Sequence, residues 1–303
     1  MNPDSKATAG FLNQLFEFGE MIKISHTLFA LPFAIGAAFL AVSLQDSHLL
    51  ASGWTPFLQV VLAIAFARTS AMSFNRWAAD RDIDGKNPRT ENRSIPAGRL
   101  TAGQVLTATV ISIFGFVATC AWIGDQALLL SPIVLLVVLG YSYTKRLTWL
   151  CHAVLGIGLG LAPVGAWLVL TGDLADPLPW LLGTAVLFWS AGFDIVYSCQ
   201  DVEVDKEQSL NSIPARFGIA KSLIISRSFH LVMIILMGLL YLELDRSLPV
   251  LIATLLTATL LCIGHLRIRS EYRELKRIEN ALLEFNIAIS FIFMLCMAVE
   301  VYL

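Results

Sequence analysis

Two pairs of aspartates recur along the chain at one spacing. Asp80 and Asp84 make one D-x-x-x-D, and Asp201 and Asp205 make another. Positions i and i+4 of a helix share a face, with about 6 Å between their side chains. Four carboxylates gathered in one place repel one another unless a cation sits among them. Hard carboxylate oxygens suit Mg²⁺, which takes one or two of them and fills its shell with phosphate oxygens and water. The chemistry implied is a pair of Mg²⁺ ions clamping a diphosphate between helix ends. Arg81, Lys86, Arg89, Arg93, Lys145 and Arg146 lie on the same side and could neutralise the remaining phosphate oxygens. A lone D-x-x-x-D reads as a solvated acidic loop; two copies on repeated segments read as a site.

The segments around the acids repeat as well. The first runs NRWAADRDIDGKNPRTENRSIPAG and the second SCQDVEVDKEQSLNSIPARFG, so Ser94-Ile95-Pro96-Ala97 returns as Ser212-Ile213-Pro214-Ala215. Arg68 stands seven residues before Asn75, and Asp194 stands seven before Asp201. Two copies of a four-helix unit are expected, over about 22–145 and 149–267, within a single domain spanning 1–303. Repeat-built membrane proteins place their sites between the halves. The stretches at about 80–102 and 201–222 are expected as caps over that site.

The elements that hold these residues are legible from composition. Of 303 residues, 56% are apolar and 15% charged, and mean hydropathy is +0.71, which argues against a soluble globular enzyme, a disordered chain or a coiled coil. A net charge of −2 gives no electrostatic case for a nucleic-acid partner. A bilayer core calls for about 20 consecutive apolar residues per helix. Nine such runs are present, at about 24–43, 56–77, 103–122, 126–144, 149–171, 179–199, 228–243, 248–266 and 280–302. The fold class is therefore all-α: a polytopic bundle of nine transmembrane helices around a central cavity, made of two four-helix repeats plus one helix. The first twenty residues carry no signal-peptide pattern, and Phe11, Leu12, Leu15, Phe16 and Phe18 suit a short interfacial helix.

Every Lys and Arg except Arg246 falls before the first run or beside the even-numbered connections. The positive-inside rule then places the N-terminus and the acidic loops in the cytoplasm of a multi-pass cell (inner) membrane protein, with the C-terminus opposite. The five cysteines sit singly, without Cys-x-x-Cys, and read as small buried hydrophobes. Ionisable residues inside the runs are few, so each is a site candidate. Arg68 should face the same way as Asn75 and could pair with an anionic group. Asp194 stands in the same relation to Asp201 and could orient a hydroxyl or take its proton. Lys23 and His26 open the first helix on the acidic side.

At this point the residues carry a resemblance. The first motif with its Asn87-Pro88-Arg89-Thr90 tail, the second motif Tyr197-Ser198-Cys199-Gln200-Asp201-Val202-Glu203-Val204-Asp205, His26-Thr27-Leu28-Phe29-Ala30-Leu31-Pro32 and Tyr143-Thr144-Lys145-Arg146 resemble signatures of the UbiA-type intramembrane aromatic prenyltransferases, in particular the 4-hydroxybenzoate polyprenyltransferase branch. Arg76 after Asn75 and Gln200 after Tyr197 depart from the usual family pattern. The resemblance implies Mg²⁺-dependent transfer of a polyprenyl group from a polyprenyl diphosphate to an aromatic acid, most simply 4-hydroxybenzoate for a ubiquinone-type quinone, or alternatively a naphthoate for menaquinone. It implies metal binding by Asp80, Asp84, Asp201 and Asp205, and diphosphate binding by Asn75, Arg68, Arg81, Lys145 and Arg146. It also implies acceptor binding by Lys23, His26, Asp194 and Tyr197, with Asp194 and Arg68 catalytic. An ion or solute transporter is the rival from another class; it would place its charges near the bilayer midplane, whereas here the acids cluster at one end of their helices.

Five steps separate Asn75 from Asp80, which in a regular helix turns them about 140° apart. A π-bulge around Trp77-Ala78-Ala79 would bring both to one site; otherwise Asn75 serves as an inner hydrogen-bonding residue.

Overall fold

A computed structural model describes residues 13–14, 16–23, 27–45, 53–79, 84–270 and 275–302. Among these there is no strand. Within the described residues nine long helices carry the fold: α1 (Thr27–Leu44), α2 (Thr55–Ala79), α3 (Ala102–Ile123), α4 (Asp125–Leu147), α5 (Cys151–Thr171), α6 (Pro177–Ser198), α7 (Ile219–Glu243), α8 (Leu248–Ser270) and α9 (Leu275–Glu300). Among the described residues seven helices, α2 to α8, are long and apolar enough to cross a membrane, and Ala30–Leu44 of α1 is a shorter apolar helix. The helix α9 opens on Lys276, Arg277 and Glu279, which dilute its apolar run. Ile111, Phe114, Leu129, Leu136 and Leu231 stand exposed on the outer faces. Water does not stabilise such surfaces, and lipid does.

Local signals set where the helices start and stop. Thr101 caps α3 through a reciprocal capping box with Gln104. Asp176 caps α6, with Pro177 at the first helical position. Gly172, left-handed at φ 69°, ends α5.

Consecutive helices pack side by side, α9 closes on α1, and α1 also packs on α5. Away from the acidic loops the interior is filled by one apolar cluster that includes Phe33, Trp167, Trp189, Met233, Met237 and Phe293. The Phe33 ring lies 4.9 Å from that of Trp189 and 5.3 Å from that of Phe293. The opposite end is polar inside: Ser70, Ser73, Arg76, Ser142, His152, Ser198 and Ser222 are all buried. Helices α5 and α6 approach closely, so that a Cβ on Gly160 would meet the Gly183 carbonyl oxygen at 2.4 Å. This is the small-residue packing by which membrane helices approach one another.

Several expected boundaries move. The seventh helix begins at Ile219 rather than near 228, because Ser222 and Ser226 are buried against its neighbours and the Ser226 hydroxyl donates to the Gly192 carbonyl at 2.7 Å. The second cap is not an open loop; it holds two short helices, Val202–Glu207 and Ile213–Phe217. Residues Trp77–Ala79 stay α-helical, so the bulge expected there does not form. Of the cysteines, Cys120, Cys151 and Cys199 are buried as expected, but Cys262 is exposed on the outer face of α8. The candidate interfacial helix falls partly on described residues: 16–21 are helical, and Met21 and Ile22 pack against Leu100 and Val105.

Candidate active site

The two acidic segments meet. Asp201 closes α6 in a single 3-10 turn, Cys199–Asp201, and is buried. The Asn87 amide donates to Asp201 Oδ1 at 3.1 Å. Arg89 clasps the same carboxylate from both sides, Nε to Oδ1 at 2.9 Å and Nη2 to Oδ2 at 2.7 Å, while its Nη1 donates to the Tyr197 hydroxyl at 3.1 Å. A tail residue of the first motif thus holds the first acid of the second motif by a bidentate, charge-assisted pair.

Asp84 and Asp205 are likewise countered by cations. Asp84, in the 3-10 turn Asp84–Lys86, is buried; Arg93 pairs with its Oδ2, and Arg76 Nη1 lies 3.5 Å from the same oxygen. Asp205 is 1% exposed and receives Lys145 Nζ on Oδ1 and the Ser212 hydroxyl on Oδ2, each at 2.7 Å. Charges this far from water need such partners. The second Ser-Ile-Pro-Ala copy therefore has a job beyond marking a turn. Ser212 both caps the helix Ile213–Phe217 and holds Asp205.

Around this cluster the candidates fall as follows. Asn75 Nδ2 donates to Ser142 Oγ on α4 at 3.4 Å, which is the inner hydrogen-bonding role. Arg146, expected to face phosphate, donates to the Ala78 carbonyl at 2.9 Å and stacks over the Tyr143 ring at 5.5 Å, so it ties α4 to the end of α2. Arg68 Nη2 reaches the Lys23 carbonyl at 3.4 Å, and its Nε is buried with no hydrogen-bond partner among the described residues. Asp194, on α6, is 26% exposed at its side chain and bonds His152 of α5 at 2.6 Å. Asp80, Arg81 and His26 lie outside the described residues.

Two contributors escaped the sequence reading. His152 is a single imidazole beside Cys151 in an apolar run, with no motif to mark it. Asn211 precedes the repeated tetrapeptide; its N–H and side-chain amide donate to the carbonyls of Lys145 and Arg146 at 2.7 and 3.3 Å.

Among the described residues no three His, Cys, Asp or Glu side chains come together as a metal cluster. Asp84, Asp201 and Asp205 are nonetheless all-oxygen donors, each buried with at least one cation beside its carboxylate. That chemistry fits a hard divalent ion accompanied by an anionic ligand to which the guanidinium and ammonium groups can turn.

The chain is similar to known proteins in sequence and in fold. The profile described as the UbiA prenyltransferase family matches residues 27–289. A 4-hydroxybenzoate octaprenyltransferase of Marinomonas sp. (strain MWYL1) is 30% identical over 166 residues, which cover 54% of this chain and 58% of that protein. A 4-hydroxybenzoate solanesyltransferase of Synechocystis sp. is 31% identical over 170 residues, with 54% and 58% covered. The chain thus spans little more than half the length of the curated relatives it matches. The apo structure of a UbiA homolog from Aeropyrum pernix K1 has a TM-score of 0.79 at 31% identity, covering 91% of this chain and 98% of that one. A UbiA homolog from Archaeoglobus fulgidus, bound to GPP and Mg²⁺, has a TM-score of 0.72 at 20% identity, covering 95% and 100%, a likeness of fold.

Proposed function

The chain belongs to the UbiA prenyltransferase family, and from that membership we propose that it transfers a polyprenyl group from a polyprenyl diphosphate to an aromatic acid, with 4-hydroxybenzoate as acceptor. The observation that carries the reading is the junction at Asp201, where Asn87 and Arg89 from one acidic segment meet the carboxylate of the other at the end of an apolar bundle. In the overall reaction the allylic C–O bond breaks with its electron pair leaving on diphosphate. A C–C bond forms at the ring carbon beside the acceptor hydroxyl, and that carbon's proton is lost to restore aromaticity.

Asp80, Asp84, Asp201 and Asp205 would hold Mg²⁺, which when bound supplies positive charge to the departing diphosphate. Arg89, Arg93 and Lys145 leave their carboxylates and turn to phosphate oxygens, with Arg81 assisting. Arg68 binds the acceptor carboxylate; its unpartnered buried Nε supports that assignment. Asp194 accepts a hydrogen bond from the acceptor hydroxyl and takes its proton as the ring attacks, returning it to the oxygen when the ring carbon is deprotonated. Lys23, His26 and Tyr197 complete the acceptor side. The apolar cluster behind Trp189 excludes water from the reacting carbon, and the polyprenyl tail lies between helices. The acidic end faces the cytoplasm, a reading supported by the one-sided distribution of Lys and Arg.

Membranes carrying the protein, incubated with labelled prenyl diphosphate, 4-hydroxybenzoate and Mg²⁺, should yield labelled prenylated acid, and EDTA should stop it. A panel including a naphthoate reads the acceptor directly. Product from no aromatic acid in the panel would overturn the proposal.

A further inference from the structure

Three successive residues of the second cap each fasten a different part of the site. The Asn211 N–H binds the Lys145 carbonyl at 2.7 Å, the Ser212 hydroxyl binds Asp205 at 2.7 Å, and the Ile213 N–H is donated to His152 Nε2 at 3.3 Å. His152 is 2% exposed at the start of α5, and its other nitrogen, Nδ1, lies 2.6 Å from Asp194 Oδ2. An imidazole nitrogen that accepts from an amide N–H carries no proton. The ring proton therefore sits on Nδ1 and is donated to Asp194, so the cap backbone selects the tautomer. With Oδ2 held in this way, Asp194 keeps its second oxygen free of hydrogen bonds among the described residues, and its side chain remains partly open.

We propose that His152 is a positioning residue that couples Asp194 to the docking of the second cap, so that the acceptor-side carboxylate is aimed only when the diphosphate side is enclosed. The inference rests on reading Asp194 as the group that meets the acceptor hydroxyl. Lifting the cap removes the Ile213 amide, frees Nε2 to take a proton, and releases Nδ1 from its fixed duty as donor. Asp194 then loses its orientation at the same moment that Asp205 loses Ser212. The coupling protects the allylic donor: its C–O bond is not drawn on by an aimed acceptor while water has access.

Two substitutions separate the two ends of the ring. In His152→Asn the amide nitrogen stands near the position of Nδ1, which keeps the donor to Asp194 and abandons Ile213. In His152→Gln the amide oxygen reaches the position of Nε2, which keeps the cap and abandons Asp194. With prenyl diphosphate, acceptor and Mg²⁺, His152→Gln should lower kcat at least tenfold, leave the donor KM unchanged and move the pH profile of kcat. His152→Asn should hold kcat within about threefold, while protease cleavage within 206–222 in the presence of Mg²⁺ and inorganic pyrophosphate rises and more donor is lost to water. Nitrogen NMR of the labelled imidazole, independent of activity, should show a protonated Nδ1 and a bare Nε2 in the unsubstituted protein. A bare Nδ1, or equal losses of kcat and thermal stability in both variants, or wild-type behaviour of both, overturns the coupling. Asp194→Asn is measured in parallel. If it keeps full kcat, the acceptor-side reading of Asp194 fails; if it is inactive while both His152 variants behave as wild type, only the coupling fails.

Discussion

Arg89 binds both oxygens of Asp201, at 2.9 and 2.7 Å, although 112 residues separate the two in the chain. Planar guanidinium geometry makes this possible, and a lysine ammonium cannot reproduce it. If the same fork turns to donor phosphate, Arg89→Lys should weaken binding of prenyl diphosphate with Mg²⁺ about tenfold, or about 1.4 kcal/mol. Calorimetric titration checks this, and an unchanged affinity would separate Arg89 from the donor.

Asp201→Asn and Asp205→Asn should each lower turnover at least about a hundredfold, or roughly 2.7 kcal/mol of barrier, in protein that still folds. The two should differ in stability. Asp205 is the more deeply buried and its loss strands the Lys145 ammonium, so Asp205→Asn should melt at the lower temperature. Product formation and thermal unfolding in detergent measure both. Near-normal activity of either variant at saturating Mg²⁺ would remove that acid from the shared site.

Ligand should tighten the caps. Trypsin has targets at Lys86, Arg89, Arg93 and Arg99 in the first cap and at Lys206, Arg216 and Lys221 in the second. Cleavage should slow when donor diphosphate and Mg²⁺ are added together and recover with EDTA. Equal rates in all three conditions would make these segments connections only.

A packing prediction lies on the other side of α6. A Cβ on Gly192 would meet His230 Nε2 at 2.6 Å. His230 is hydrogen-bonded to His265 of α8 at 2.8 Å and to the Trp189 carbonyl at 3.2 Å. Gly192→Ala should displace the ring, break this chain and cost about 1–3 kcal/mol, the usual range for overpacking. Gly140→Ala, with open space around its Cβ position, is the control. Matching melting temperatures for the two variants would show that the His230 ring yields at no cost.

Much of this organisation was legible in the residues. Apolar run length marks the helices because lipid solvates no open backbone, and the doubled aspartates mark a candidate site because their repetition has no packing explanation. Hydropathy missed the first turns of α7, since Lys221 and Arg227 mask a face whose serines pack inward. The partner of each acid was also hidden. Lys145 and Arg146 are neighbours of one type in sequence, yet one meets Asp205 and the other a carbonyl of α2, a division set by helix rotation at the end of α4. His152 was invisible for a different reason: its meaning depends on Ile213, 61 positions away, which contributes only a backbone N–H.

At the crossing of α5 and α6, backbone touches backbone, with Gly160 against Gly183 and Gly156 against Leu187. With a carbonyl oxygen against each of these glycine positions there is no room for a larger residue, so the two helices form a stiff plate rather than a joint. His152 stands roughly 12 Å above Gly160 at the helical rise per residue, so it and Asp194 project from one rigid body. If the bundle breathes to admit the proposed polyprenyl chain, it must therefore open a different seam, leaving the pair undisturbed while the lipid side yields.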